Sequence, residues 1–189
     1  SSFFRSSLSN GRDIITLREE EQHVRSYLEI QHVRYKDILS YEIEIEPSLC
    51  SCRIPKLTLQ PLVENALYHG IKLKRGLGRI TVSGMREGKD ILLFVEDDGA
   101  GIEPDRLLQV RHALEEMTRR ECREKKEMDR VSLAGRLPQM DQNRVGFGIV
   151  TVHERLVLLF GAEYGLTIES IPGEGTRVCV RIPAQEEHG

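Results

Sequence analysis

Glu64 and Asn65 place a carboxylate beside an amide. An amide oxygen is a hard, neutral ligand suited to Mg²⁺, which keeps several waters and shares itself with phosphate oxygens. A carboxylate next to it can hold a metal-bound water or accept a proton. His69 lies four residues after Asn65 and so shares its face on a helix. A second group is Asp97-Asp98-Gly99-Ala100-Gly101, followed by Ile102. An aspartate at a strand end accepts hydrogen bonds well, and an adenine amino group is a good donor. Gly99 and Gly101 let the backbone turn tightly and come close to a flat ring. The third is Gly146-Phe147-Gly148 at the start of a helix, where successive N–H groups and the helix N-terminus favour phosphates. Gly173-Glu174-Gly175-Thr176 is the fourth. Each also has a plain reading: a solvated Glu-Asn pair, an Asp-Gly turn, a helix entry and a hairpin turn. A calcium loop fits the second group poorly, because no downstream Glu completes its ligand set.

The elements around these groups can be read from periodicity. Leu59, Leu62, Val63, Ala66 and Leu67 follow i, i+3, i+4, i+7 and i+8, so Glu64 and Asn65 flank the buried stripe of a helix region that opens at Pro55 and stops at Gly70. Arg79–Ser83 and Ile91–Glu96 read as strands joined by the turn-rich Gly84–Asp90, which puts Asp97 directly after the second strand. Upstream, Thr16 with Glu19 resembles a capping box for a helix from Leu17 to Leu39, and Tyr41–Glu46 alternates like a half-buried strand. Ile149, Val152, Leu156 and Leu159 define a third helix ending at Gly161, and Tyr164–Ser170 with Thr176–Ile182 form a last strand pair. Between them, residues 103–145 carry charge runs, with Leu107–Met117 as a helical part. A segment this long between core elements is functional or mobile. Helices interleaved with hairpin-like strands point to an α+β sandwich, with helices on one face of a mixed sheet.

With 189 residues, 39% apolar and 30% charged, the chain can bury a core under a well-solvated surface. No Trp, few aromatics, a formal charge of -3 and dispersed basic residues exclude a nucleic-acid footprint. No run of about 18 apolar residues is present, and the N-terminus lacks the parts of a signal peptide. It does not begin with Met, which is expected of a piece of something longer. The four cysteines are too few and irregular for a disulfide scaffold and read as reduced thiols.

The four groups occur in a fixed order, and no common turn or cap explains them together. The set resembles the N, G1, G2 and G3 boxes of the ATPase superfamily shared by gyrase, Hsp90 chaperones, histidine kinases and MutL. Ile54–Gly70, with Gly146–Ile149, Val152–Leu156, Leu17–Glu20 and Tyr27-Leu28, is similar to the LytS/YesM class of bacterial sensor histidine kinases. The resemblance runs from about Leu17 to Pro183. It implies a two-layer Bergerat-type fold with ATP and Mg²⁺ under a mobile lid at about residues 103–145. By position it makes Asn65 the Mg²⁺ ligand, with Glu64 beside it as the second catalytic residue. Asp97 would read the adenine amino group, Gly99, Gly101 and Ile102 would shape that pocket, and Thr176 would support it. Gly146 and Gly148 would line the phosphate end, with His69 near the phosphates. The family often carries Lys where this chain has Tyr68, and Asn where it has Thr151.

The family's phosphoacceptor helix, H-F-x-x-N, does not occur here, and His23 and His32 lack its context. The resemblance implies that residues 1–40 are the last part of a helical dimerisation module and 41–185 the catalytic domain. The whole protein would be a membrane-anchored homodimer with a cytoplasmic kinase domain. It would phosphorylate its upstream helix and pass the phosphate to a response regulator. An ATP-driven switch of the Hsp90 or MutL kind, or a non-catalytic nucleotide module, are the alternatives.

Overall fold

The computed structural model describes residues 14–128 and 147–184. Its first elements are strand β1, Ile14–Thr16, and helix α1, Leu17–Arg34. The Thr16 hydroxyl accepts the Glu19 N–H at 3.2 Å and the Glu19 carboxylate accepts the Thr16 N–H at 2.8 Å, closing a capping box. The helix ends at Arg34 rather than Leu39 because Leu39 already opens strand β2, Leu39–Ile45. Strand β3, Arg53–Pro55, pairs antiparallel with β1, so Pro55 lies in a strand and the next helix, α2, starts at Gln60 and runs to Asn65.

Strands β4, Gly78–Glu87, and β5, Asp90–Asp97, follow. Gly84 belongs to the β4 ladder opposite Leu93, so the turn between them is shorter than its glycine and charge content suggested. Helix α3, Pro104–Met128, precedes helix α4, Phe147–Phe160. Strands β6, Gly165–Ile171, and β7, Gly175–Pro183, complete the described fold.

The main sheet has the order β2-β4-β5-β7-β6; β2 is parallel to β4 and the other pairs are antiparallel. Alternate residues point into the core, including Ile80, Val82, Leu93, Val95, Val178 and Val180. They meet Val24 and Leu28 of α1, Leu62 and Val63 of α2, and Leu156 of α4. On the opposite face Glu42 pairs with Arg79 at 3.5 Å and Glu96 with Arg177 at 3.2 Å, which suits contact with water. The result is a two-layer α+β sandwich with a mixed sheet. Arg111 donates to the Ile168 carbonyl at 3.0 and 2.8 Å, covering part of the outer edge at β6.

Helix α3 is longer than the Leu107–Met117 segment the sequence suggested, and it continues through the charge run. Leu107, Val110, Leu114 and Met117 recur at helical spacing and are buried. Beyond them, pairs such as Arg119 with Glu115 at 3.3 Å support the solvated side. The first part of the expected lid is therefore packed helix. Residues 129–145 of that lid, and Gly146, lie outside the described residues.

Candidate active site

Helix α2 is anchored by Leu59, Leu62 and Val63, all with 1% exposure or less. Glu64 and Asn65 stand beside this stripe. The Asn65 Nδ2 donates to the Pro61 carbonyl at 2.8 Å, which turns Oδ1 to the other side of the amide. The Glu64 carboxylate accepts from the Gln60 amide at 3.0 Å. After Asn65 the helix widens into a π-helical turn, Ala66–Gly70. Such turns are rare and frequent at functional sites. Burial, with the positive charge of Arg106 nearby, lowers the His69 pKa, so its imidazole is neutral near pH 7.

At the end of β5, Asp97 meets the end of that π turn. A side chain at Gly99 would strike the Gly70 backbone at 2.3 Å, so the two glycines allow the loop and helix end to touch. The Ala100 N–H donates to the Gly70 carbonyl at 3.1 Å and fixes this contact. Gly101 adopts φ 69°, and a Cβ there would lie 2.2 Å from the Ile171 carbonyl oxygen. The loop thus nests in the β6–β7 hairpin, where the Gly173 N–H donates to Ala100 at 2.8 Å.

Asp97 is partly buried, and that burial pushes its pKa from 3.8 to about 7, against the lowering effect of the Gly99 N–H. That N–H donates to Asp97 Oδ1 at 2.9 Å. Neighbouring Asp98 raises the Asp97 pKa further, but Asp98 itself is tied down by the Arg79 N–H at 2.7 Å and Lys74 at 3.1 Å. Ser170 braces the other side. Its hydroxyl oxygen accepts the Ile102 N–H at 2.8 Å, lies 2.8 Å from the Gly175 carbonyl, and is 2.9 Å from the Thr176 hydroxyl.

Helix α4 brings Gly148 against α2, where a Cβ would come within 3.3 Å of the Asn65 amide nitrogen. Its position is set by His153, whose Nδ1 accepts the Leu166 N–H at 2.9 Å and whose Nε2 lies 2.9 Å from the Thr118 hydroxyl. The first accepted bond requires a neutral ring with its proton on Nε2, and burial favours that neutral form.

Asn65, His69, Asp97, Ile102 and Thr176 line one pocket, with apolar walls from Leu62, Val95, Ile149 and Val178. Glu64, Gly99, Gly101 and Gly148 are not among its lining residues: Gly99 and Gly101 lie in the loop between Asp97 and Ile102, Gly148 adjoins Asn65, and Glu64 neighbours Asn65 on α2. Ser170 and Gly70 carry no sequence signal that marks them as site residues. A lone serine carries no motif, and Gly70 reads only as a helix stop. Of the apolar walls, Leu62 and Ile149 are legible from helical spacing, and Val95 and Val178 fall within the strands that the sequence marks.

Residues 54–186, well over half of the chain, match the family described as histidine kinase-, DNA gyrase B- and HSP90-like ATPases. The chain belongs to that family. Residues 1–39 match a second family, described as histidine kinase. The chain is 30% identical over 187 residues to the sensor histidine kinase BtsS of Escherichia coli K12, covering 99% of this chain and 27% of that protein. It is 31% identical over 183 residues to the sensor histidine kinase YesM of Bacillus subtilis 168, covering 97% of this chain and 26% of that protein. The chain therefore spans 26% to 27% of the length of these two relatives. It is a catalytic domain of the histidine-kinase type, related to the LytS, YesM and BtsS sensor kinases. Among solved structures, the catalytic domain of histidine kinase ThkA shares its fold at TM-score 0.57 and 13% identity, over 90% of this chain and 96% of that one. The histidine kinase domain from the Erythrobacter litoralis EL346 blue-light activated kinase does so at TM-score 0.55 and 18% identity, over 90% and 62%. Among the described residues, no helix is long and apolar enough to cross a membrane.

Proposed function

We propose that this domain binds Mg-ATP in the pocket between α2 and β5 and passes the γ-phosphate to a histidine on an upstream dimerisation helix. One observation carries the reading: the Asn65 amide, the partly buried Asp97 carboxylate and the first turn of α4 converge on one apolar pocket. Val95, Ile102, Ile149 and Val178 hold the adenine ring, and Asp97 accepts a hydrogen bond from its amino group. Ser170 and Thr176 brace that side. Asn65 supplies a neutral oxygen that suits a magnesium ion shared with phosphate. Bound there, the ion would neutralise phosphate charge as the phosphoryl group is transferred. Gly148 keeps the phosphate end accessible in the first turn of α4, Gly146 is assigned to that end by its place in the sequence alone, and neutral His69 stands on the same side. Glu64, held by Gln60, is the carboxylate available to hold a metal-bound water or take a proton.

In the whole protein, residues 1–40 end the dimerisation module and 41–185 form the catalytic domain. The protein is a membrane-anchored homodimer whose kinase domain faces the cytoplasm, and a response regulator receives the phosphate. Mixing the chain with a fragment bearing the family's H-F-x-x-N helix and labelled ATP tests transfer. The expected product is acid-labile, base-stable label on that fragment. Free phosphate without transfer would mark an ATP-driven switch of the Hsp90 or MutL kind. Binding with neither outcome would mark a non-catalytic module.

A further inference from the structure

Glu20 lies on α1 with 0% exposure, although it carries a carboxylate. Its two oxygens accept the N–H groups of Leu57 at 3.0 Å and Leu59 at 2.9 Å. Leu59 is the N-cap residue of α2, so the carboxylate sits at the electropositive start of the helix that carries Asn65. Leu57 is in a left-handed conformation, φ 61°, which costs a residue with a side chain about 1 kcal/mol or more. Its carbonyl is held from the other side by Arg155 of α4 at 2.7 Å. One strained peptide segment is thus gripped by the upstream helix and by the helix whose first turn meets Asn65. The far end of the same unit is also fastened to the C-cap of α1: the Lys72 ammonium lies 4.7 Å from the Tyr68 ring centre and 5.0 Å from that of Tyr35.

We infer that Glu20 is a positioning residue: with Arg155 it holds Leu57–Leu59 as a latch that sets α2, and couples displacement of α1 to the placement of Asn65. The inference rests on the Mg-ATP reading only for its consequence in binding; the latch itself is readable without nucleotide. A buried charge held by two N–H groups is costly to alter, and breaking it frees both the strained segment and the helix start.

Amide hydrogen exchange on the unliganded chain tests the latch. Glu20→Gln, nearly isosteric, should speed exchange over Leu57–Gly70 by about tenfold or more while β4 and β5 stay within about twofold. Adding Leu57→Gly, which takes φ 61° without strain, should recover much of that protection. Unchanged exchange, a uniform rise through the sheet, or no recovery in the double variant each overturns the latch. Fluorescent ATP then reads its consequence: Glu20→Gln should weaken magnesium-dependent binding by about tenfold, with adenosine binding within about twofold. Equal loss of both ligands contradicts the coupling to Asn65. If the unaltered chain shows localised protection but no magnesium-dependent ATP binding, the functional reading fails while the latch stands.

Discussion

The two ends of the pocket are built differently. At the Asp97 end, bonds cross between elements: Ala100 to Gly70, Ile102 to Ser170, Gly173 to Ala100 and Asp98 to Arg79. At the Asn65 end, the bonds of Glu64 and Asn65 run within their own helix, to Gln60 and Pro61. The first end is a preformed cradle fixed by the sheet. The second takes its position from how α1, α2 and α4 meet, through the bonds of Glu20 and Arg155 to Leu57–Leu59 at the start of α2. A recognition site that must always fit one base gains from the first arrangement. A site that must be switched gains from the second, because its geometry follows elements that can move against each other.

The strongest way to break this contrast is Gly99→Ala. Its Cβ would strike the Gly70 backbone at 2.3 Å, so the cradle must open. A loss of about 3 kcal/mol in urea unfolding is expected, together with loss of adenosine binding. A stability within about 0.5 kcal/mol of the unaltered chain would show that the cradle is not tightly braced.

Ser170→Ala comes next. It leaves the Ile102 N–H without its acceptor and should cost about 1 to 2 kcal/mol, with weaker adenosine binding and an unchanged response to magnesium. If the magnesium response falls instead, the two ends are not separate.

A further test concerns pH. The folded state holds a proton on Asp97 up to about pH 7, whereas the unfolded value is 3.8. The fold therefore binds the extra proton between those values. The stability this group contributes is complete below 3.8 and is lost as pH rises through about 7. Adenine binding should run the other way, because an ionised carboxylate is the better acceptor. Adenosine affinity should rise by about tenfold between pH 6 and pH 8, and Asp97→Asn should flatten that rise. A flat profile in the unaltered chain would remove Asp97 from contact with the base.

Much of this was legible in the sequence because two periodicities carry it. The stripe from Leu59 to Leu67 locates α2, alternation over Tyr41–Glu46 locates β2, and the turn-rich segments between apolar runs locate the other strands. What was missed depends on contacts between distant residues. Pro55 reads as a helix start, yet it pairs with Ile14 in a strand, a pairing that only the folded chain supplies. Gly84 reads as a turn but faces Leu93 within a ladder. Charged residues hid the length of α3, because a solvated helical surface and a loop have similar composition. Glu20 and Ser170 act on backbone groups 37 and 68 residues away, and side chains that serve distant backbone leave no local pattern.

The most direct test is a titration of ATP and adenosine, each with and without magnesium, on the unaltered chain and on Asn65→Ala and Asp97→Asn. Asn65→Ala should erase most of the gain in ATP affinity that magnesium brings, about tenfold or more, and leave adenosine within about twofold. Asp97→Asn should weaken both ligands and keep the magnesium gain. An Asn65→Ala chain that retains the full magnesium gain, or that loses adenosine as heavily as ATP, would contradict the division of the pocket into a base-reading end and a metal-holding end.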